Sequence, residues 1–153
     1  MDYQEANKGE SSNGGGMVDR SWWEPPLEGV YNVNWDTTIN KAFGRVGIEI
    51  IIRDHESKVM AIKIIQRELF PDTYRAESFG VLQAVIFASE IGLMMIIIEG
   101  DAMQVITSIN QKEAIYHCSG VLIWDAKQKL LQFESWNAYH IRRDANIAGS
   151  CPS

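Results

Sequence analysis

Three acidic residues stand where carboxylates can be brought to one point. Asp36 closes the alternating stretch "VYNVNWD", and Asp101 follows the apolar run "LMMIIIEG". Glu77 lies in the first turn expected for the helical stretch "RAESFGVLQAVIFASEIG", on the face that also presents Ala76 and Phe79. If the two strands are parallel neighbours, Asp36 and Asp101 lie side by side and Glu77 approaches from the helix above, beyond the carboxyl ends of the strands. Three carboxylates in one pocket repel one another unless a cation sits among them. Oxygen-only ligands suit a hard ion, Mg²⁺ or Mn²⁺, rather than zinc. The same residues have a plainer reading. The chain holds 20 acidic residues; an Asp after a strand starts a turn, and a Glu near a helix N-terminus favours the helix dipole. Spacing alone leaves both readings open.

The elements that would carry these acids follow from periodicity. In "VYNVNWD", Tyr31, Val33 and Trp35 point one way while Asn32, Asn34 and Asp36 point the other, which is a strand. "VGIEIIIRD" and "SKVMAIKII" are β-branched runs separated by a polar gap, so they pair as an antiparallel hairpin. Ala76, Phe79, Leu82, Val85 and Ile86 recur at helical spacing, widened by Val81, Ala84 and Ala88, and Gly92 is the expected stop. "LMMIIIEGD" is too apolar to face water on either side, which makes it a central strand. "AMQVITSINQ" predicts a short helix. "SGVLIWDAKQKLLQFES" predicts a longer one, capped by Ser119, with Leu122, Ala126, Leu130 and Phe133 inward. "WNAYHIR" is the last strand. Hairpins followed by β–α–β crossovers give an α/β fold with a mixed sheet and helices on its faces.

Length and composition narrow the class further. The 153 residues fit one domain, and a hydrophobic fraction of 46% supplies a core. Residues 1–27 contain "GESSNGGG" and "SWWEPPLEG", a flexible Gly/Ser-rich and proline-containing segment, and residues 28–153 form the folded domain. No apolar run approaches the ~20 residues that cross a bilayer. The polar start "MDYQEANKGE" is not a secretory signal, so an intracellular protein is expected. Cys118 and Cys151 match neither metal-ligand spacing nor a disulfide framework. A net charge of −6 weighs against holding nucleic acid by bulk electrostatics and fits carboxylates that bind cations.

Five stretches taken in order, "YNVNWDTT", "GIEIIIRDHESKVM", "YRAESFGVLQAV", "IIIEGDAMQVITSIN" and "HIRRDAN", resemble the type 1 ribonuclease H fold. The similarity is to its reverse-transcriptase-like branch, abundant in plants, where it occurs in retroelement polyproteins and as free-standing domains. The lead-in "WEPPLEG" is similar as well, so the resemblance spans about residues 22 to 149. It implies a five-stranded mixed sheet, antiparallel hairpins first and parallel strands after, with helices on both faces. It also implies that Asp36, Glu77 and Asp101 hold two divalent ions, Mg²⁺ or Mn²⁺, which act in hydrolysis of the RNA strand of an RNA–DNA hybrid. Thr37, Thr38, Arg142, Arg143 and Asn146 fall where that family meets its substrate.

The chain departs from the pattern in three places. The family's first acid is usually followed by Gly or another small residue; here Thr37 and Thr38 follow. A fourth acid is expected four residues past Asn146, where Ser150 stands, and the helix it would open is missing, so the domain reads as C-terminally truncated. The histidine loop of the bacterial-type enzymes has no match, and His140 is expected to be a packed strand residue. Two functions therefore follow: a hybrid ribonuclease weakened by loss of the fourth ligand, or an inactive module or retroelement remnant that binds nucleic acid or protein. Without the final helix, an uncovered sheet face is expected to promote self-association.

Overall fold

β-Branched runs pair where their alternation directs them. The computed structural model describes residues 19–20, 27–68, 70, 72–112 and 116–142. In chain order the elements are β1 (Asp19–Arg20), β2 (Tyr31–Asn40), β3 (Arg45–Arg53), β4 (Val59–Glu68), α1 (Thr73–Glu90), β5 (Met95–Gly100), α2 (Met103–Asn110), α3 (Tyr116–Leu130) and β6 (Ser135–Ile141). The sheet order is β1-β6-β5-β2-β3-β4. β2, β3 and β4 form an antiparallel meander, and β5 and β6 add parallel to β2. These five long strands are the expected mixed sheet. The two-residue β1 is an addition, pairing Asp19 with His140 and Arg20 with Ile141 at the outer edge of β6.

Local chemistry sets the connections. The β3–β4 turn is closed by Asp54, whose Oδ1 accepts from the backbone N–H of Glu56 at 2.8 Å and of Lys58 at 2.9 Å. α1 starts at an N-cap, Asp72, whose carboxylate accepts from Arg75 N at 2.8 Å. It ends at Gly92, where φ of +87° lets Leu93 N reach Ala88 O at 3.1 Å and Gly92 N reach Ser89 O at 3.0 Å. α3 is broken at Gly120, with φ of 81°, so its regular part begins where the sequence places a helix start; the Ser119 side chain lies outside the described residues.

One hydrophobic core joins the three described helices to a single face of the sheet. It takes Val33 and Trp35 from β2, Ile48, Ile50 and Ile52 from β3, Ile96 and Ile98 from β5 and Ala138 from β6. α1 supplies Ala76, Val81, Leu82, Ala84, Val85 and Ala88; α2 supplies Val105, Ile106 and Ile109; α3 supplies Ile123, Ala126 and Leu130. On the opposite face, where the sequence predicts helices as well, none is found among the described residues. The centre of that opposite face is nevertheless not bare: Asn32, Asn34, Arg53, Ile97, Glu99 and Ser135 are all buried. β5 is thus buried on both sides, as its unbroken apolar run requires.

Candidate active site

The parallel ladder between β2 and β5 ends at Asn34 opposite Glu99. Two residues further along each chain stand Asp36 and Asp101, which the common register sets side by side at the open end of the ladder. Asp36 does not end its strand, because β2 continues to Asn40 as the partner of β3 and Asp36 faces Glu49 there. Asp101 does follow directly on β5. Glu77 is the fifth residue of α1 and lies beyond its first turn, since Asp72 caps the helix earlier than the apolar pattern suggests.

Glu77 is the electrostatic centre of the group. Burial pushes its carboxyl pKa up, and the charges of Asp101 and Asp36 push in the same direction. Trp35 opposes this by donating its indole N–H to Glu77 Oε1 at 3.1 Å. The Thr37 hydroxyl, itself buried, also favours the ionised form. One carboxylate oxygen of Asp36 is sealed from solvent. Such a set of mutually repelling oxygens fits a hard divalent cation, which would remove the cost of keeping three carboxylates ionised together. Among the described residues no three acidic, histidine or cysteine side chains are arranged to hold a metal outright.

Trp35 is held by what its neighbours lack. A Cβ at Gly80 would stand 2.6 Å from Trp35 Cδ1, and one at Gly100 would stand 2.5 Å from Cζ3. The indole therefore fits between two glycines, one on α1 and one at the end of β5, with its N–H aimed at Glu77. Helix, strand and carboxylate are registered by this one ring.

Glu77 and Asp101 open onto a cleft of about 680 Å³ whose lining also includes Tyr74, Gln104, His140 and Arg142. The Tyr74 hydroxyl lies 2.9 Å from Ser108 Oγ and ties the start of α1 to α2. His140, expected to be packed away, lines this cleft because it sits level with Gly100 in the β5–β6 register. No local pattern marks it; only the pairing of two strands distant in sequence does. Arg142 also lines the cleft. Thr37, expected at the substrate surface, is buried, because odd-numbered residues of β2 face α1; Thr38 is exposed. Arg143, Asn146 and Ser150 lie outside the described residues. Lys127 and Lys129 are engaged within the fold: Lys127 Nζ donates to Gln111 O at 2.7 Å and Ser108 O at 3.2 Å, and Lys129 pairs with Asp125 at 3.3 Å.

Sheet order, the acids at the end of the β2–β5 ladder and the helix above them define a ribonuclease H-like domain. A family model described as reverse transcriptase-like matches residues 34–150, and the chain belongs to that family. The sequence has no significant match among curated proteins. Among solved structures the chain is similar to RNase H1 from the halophilic archaeon Halobacterium salinarum NRC-1, with a TM-score of 0.66 and 17% identity over 76% of this chain and 89% of that one. It is similar also to the N-terminal RNase H domain of a Mycobacterium tuberculosis protein, with a TM-score of 0.64 and 16% identity over 79% of this chain and 96% of that one. A third, LC11-RNase H1 in complex with an RNA/DNA hybrid, gives 0.58 and 12% over 77% and 89%. At these identities the likeness is one of fold. Among the described residues no helix is long and apolar enough to cross a membrane.

Proposed function

We propose that the domain of residues 28–153 binds RNA–DNA hybrids and hydrolyses their RNA strand with divalent ions held by Asp36, Glu77 and Asp101. What supports this reading is the β2–β5 register, which sets Asp36 and Asp101 side by side at the open end of the ladder, with a cleft lined by Glu77 and Asp101, in a chain of this family. Bound there, two Mg²⁺ or Mn²⁺ ions would supply Lewis-acid stabilisation of the attacking and leaving oxygens of an in-line displacement. The chain's own part is positional. Asp36 is fixed within a strand paired on its β3 side, Asp101 at the tip of β5, and Glu77 by the Trp35 N–H. Arg142 at the cleft gives a phosphate a charged partner. The domain is also proposed to self-associate.

A second reading, a binding module without catalysis, is favoured by two observations. No three ligands are arranged to hold a metal among the described residues, and Ser150 stands where the family resemblance requires a fourth acid. Cleavage of a labelled hybrid in Mg²⁺ and in Mn²⁺, with Asp101→Asn as control, separates the two. Cleavage lost in the variant supports the enzyme. A folded wild-type protein that binds the hybrid and leaves it intact supports the module.

A further inference from the structure

We propose that the tip of the β2–β3 hairpin is a second contact for the hybrid, with Phe43 against its sugars and Lys41 and Arg45 on the phosphates to either side. The inference rests on the reading of the cleft as a hybrid site and extends it to a part of the chain outside that cleft. β2 and β5 part at Asn34 and Glu99, but β2 runs on to Asn40, still paired with β3. β3 is paired in turn with β4 as far as Arg45 opposite Glu68. The meander therefore projects past the end of the β2–β5 ladder as an arm, and Asp36 lies on the strand that begins it.

The tip is shaped by its own turn. Asn40 Oδ1 accepts from Phe43 N at 3.2 Å, and Gly44 N reaches Lys41 O at 3.3 Å. Phe43 is 77% exposed, the most of any large apolar residue described. One apolar side chain in water is ordinary by itself; its neighbours give this one a partner. Lys41 and Arg45 are both exposed, and neither is in an ion pair among the described residues, although Glu68 stands opposite Arg45 in the ladder. Most other described cations are tied: Lys63 to Glu90, Arg75 to Asp72, Lys129 to Asp125, and Arg67 over the Phe79 ring. In a chain of net charge −6, a ring between two untied cations is a local spot that suits a sugar–phosphate backbone.

Spacing relates the spot to the acids. Four residues separate Asp36 from Asn40, about 13 Å of strand at ~3.3 Å each, and the turn carries Phe43 further. A hybrid that seats its scissile phosphate at the acids and lies along β2 meets the tip roughly four to six base pairs away, at about 3.4 Å per base pair. There the wide, shallow minor groove of an A-form-like duplex admits a ring between its two backbones. Contacts to sugar and phosphate fix position and carry no sequence information, so the tip acts as a ruler along the duplex.

The test is an anisotropy titration of the full chain against a labelled hybrid in Ca²⁺, which takes oxygen ligands, across a monovalent salt series. Phe43→Ser is expected to weaken binding severalfold and leave the slope of log affinity against log salt unchanged. Lys41→Gln and Arg45→Gln should each weaken binding and flatten that slope by about one. Lys58→Gln, in the turn at the other end of the meander, should bind as wild type does. All four positions are exposed, so thermal melts of the variants should match wild type. On a hybrid too short to reach from the acids to the tip, wild type and Phe43→Ser should bind alike. The tip alone is overturned if wild type binds the long hybrid and the tip variants bind it equally well, or if Lys58→Gln weakens binding as much as they do. A wild type that binds no hybrid overturns the tip together with the reading of the cleft.

Discussion

Within the run "IIIEGD" two acids two residues apart meet opposite fates. Glu99 is fully buried on the face away from the helices, where its charge and that of Glu49 act on the buried Arg53 against the pull of desolvation. Asp101 stands at the rim of the cleft. Removing one member of a buried charge pair strands the other, so Arg53→Met or Glu99→Leu alone should cost about 3–5 kcal/mol, and the double change should recover most of it; denaturant unfolding of all four proteins measures this. Trp35 gives a second prediction. Gly80→Ala and Gly100→Ala each drive a methyl into the indole ring, and overpacking of this kind costs about 1–3 kcal/mol by the same measurement. Glu77 gives a third. Its raised carboxyl pKa means that folding favours the protonated form, so its contribution to stability is present at acid pH and lost as pH rises through the folded value. Glu77→Gln should therefore melt higher than wild type at neutral pH without divalent ions, with the gap closing toward acid, while hybrid cleavage is lost.

At the scale of elements, most of the fold was legible because its signals are local. The triple isoleucine of β5, the Gly92 stop and the polar gap between β3 and β4 each announce themselves within a few residues. The Asp54 turn shows why: both of its carboxylate contacts fall within four residues of Asp54 itself. Those backbone N–H bonds hold the Asp54 carboxyl below its usual range, so the hairpin's support is present above the ordinary carboxylate pKa and fades as pH falls through the lower folded value. Asp54→Ala should lower the melting temperature at neutral pH and matter less in acid, as thermal melts across that range will read. What stayed hidden depends on distant partners. The parity that buries Thr37 is set by which side α1 packs on. The place of His140 is set by the β5–β6 register, and the two residues of β1 carry no pattern apart from the strand they join. Lys127 reads as a solvated lysine until α2 is seen to end beneath it. The candidate site was therefore readable in its three acids and not in the residues around them.

For the whole molecule, a net charge of −6 leaves little general attraction for a polyanion. Hybrid binding should accordingly depend on divalent ions bridging the acids to phosphate. Anisotropy titrations are expected to show affinity in Mg²⁺ or Mn²⁺ that chelation abolishes, with a shallow dependence on monovalent salt.

The early end of the β2–β5 ladder also bears on how the molecule is built. β2, β3 and β4 close over short turns, whereas β2 and β5 meet only after α1 has been laid between them in the chain. Contacts between near segments form before those that must close long loops. Asp36 is therefore held in a finished hairpin before Asp101 has anything to stand beside.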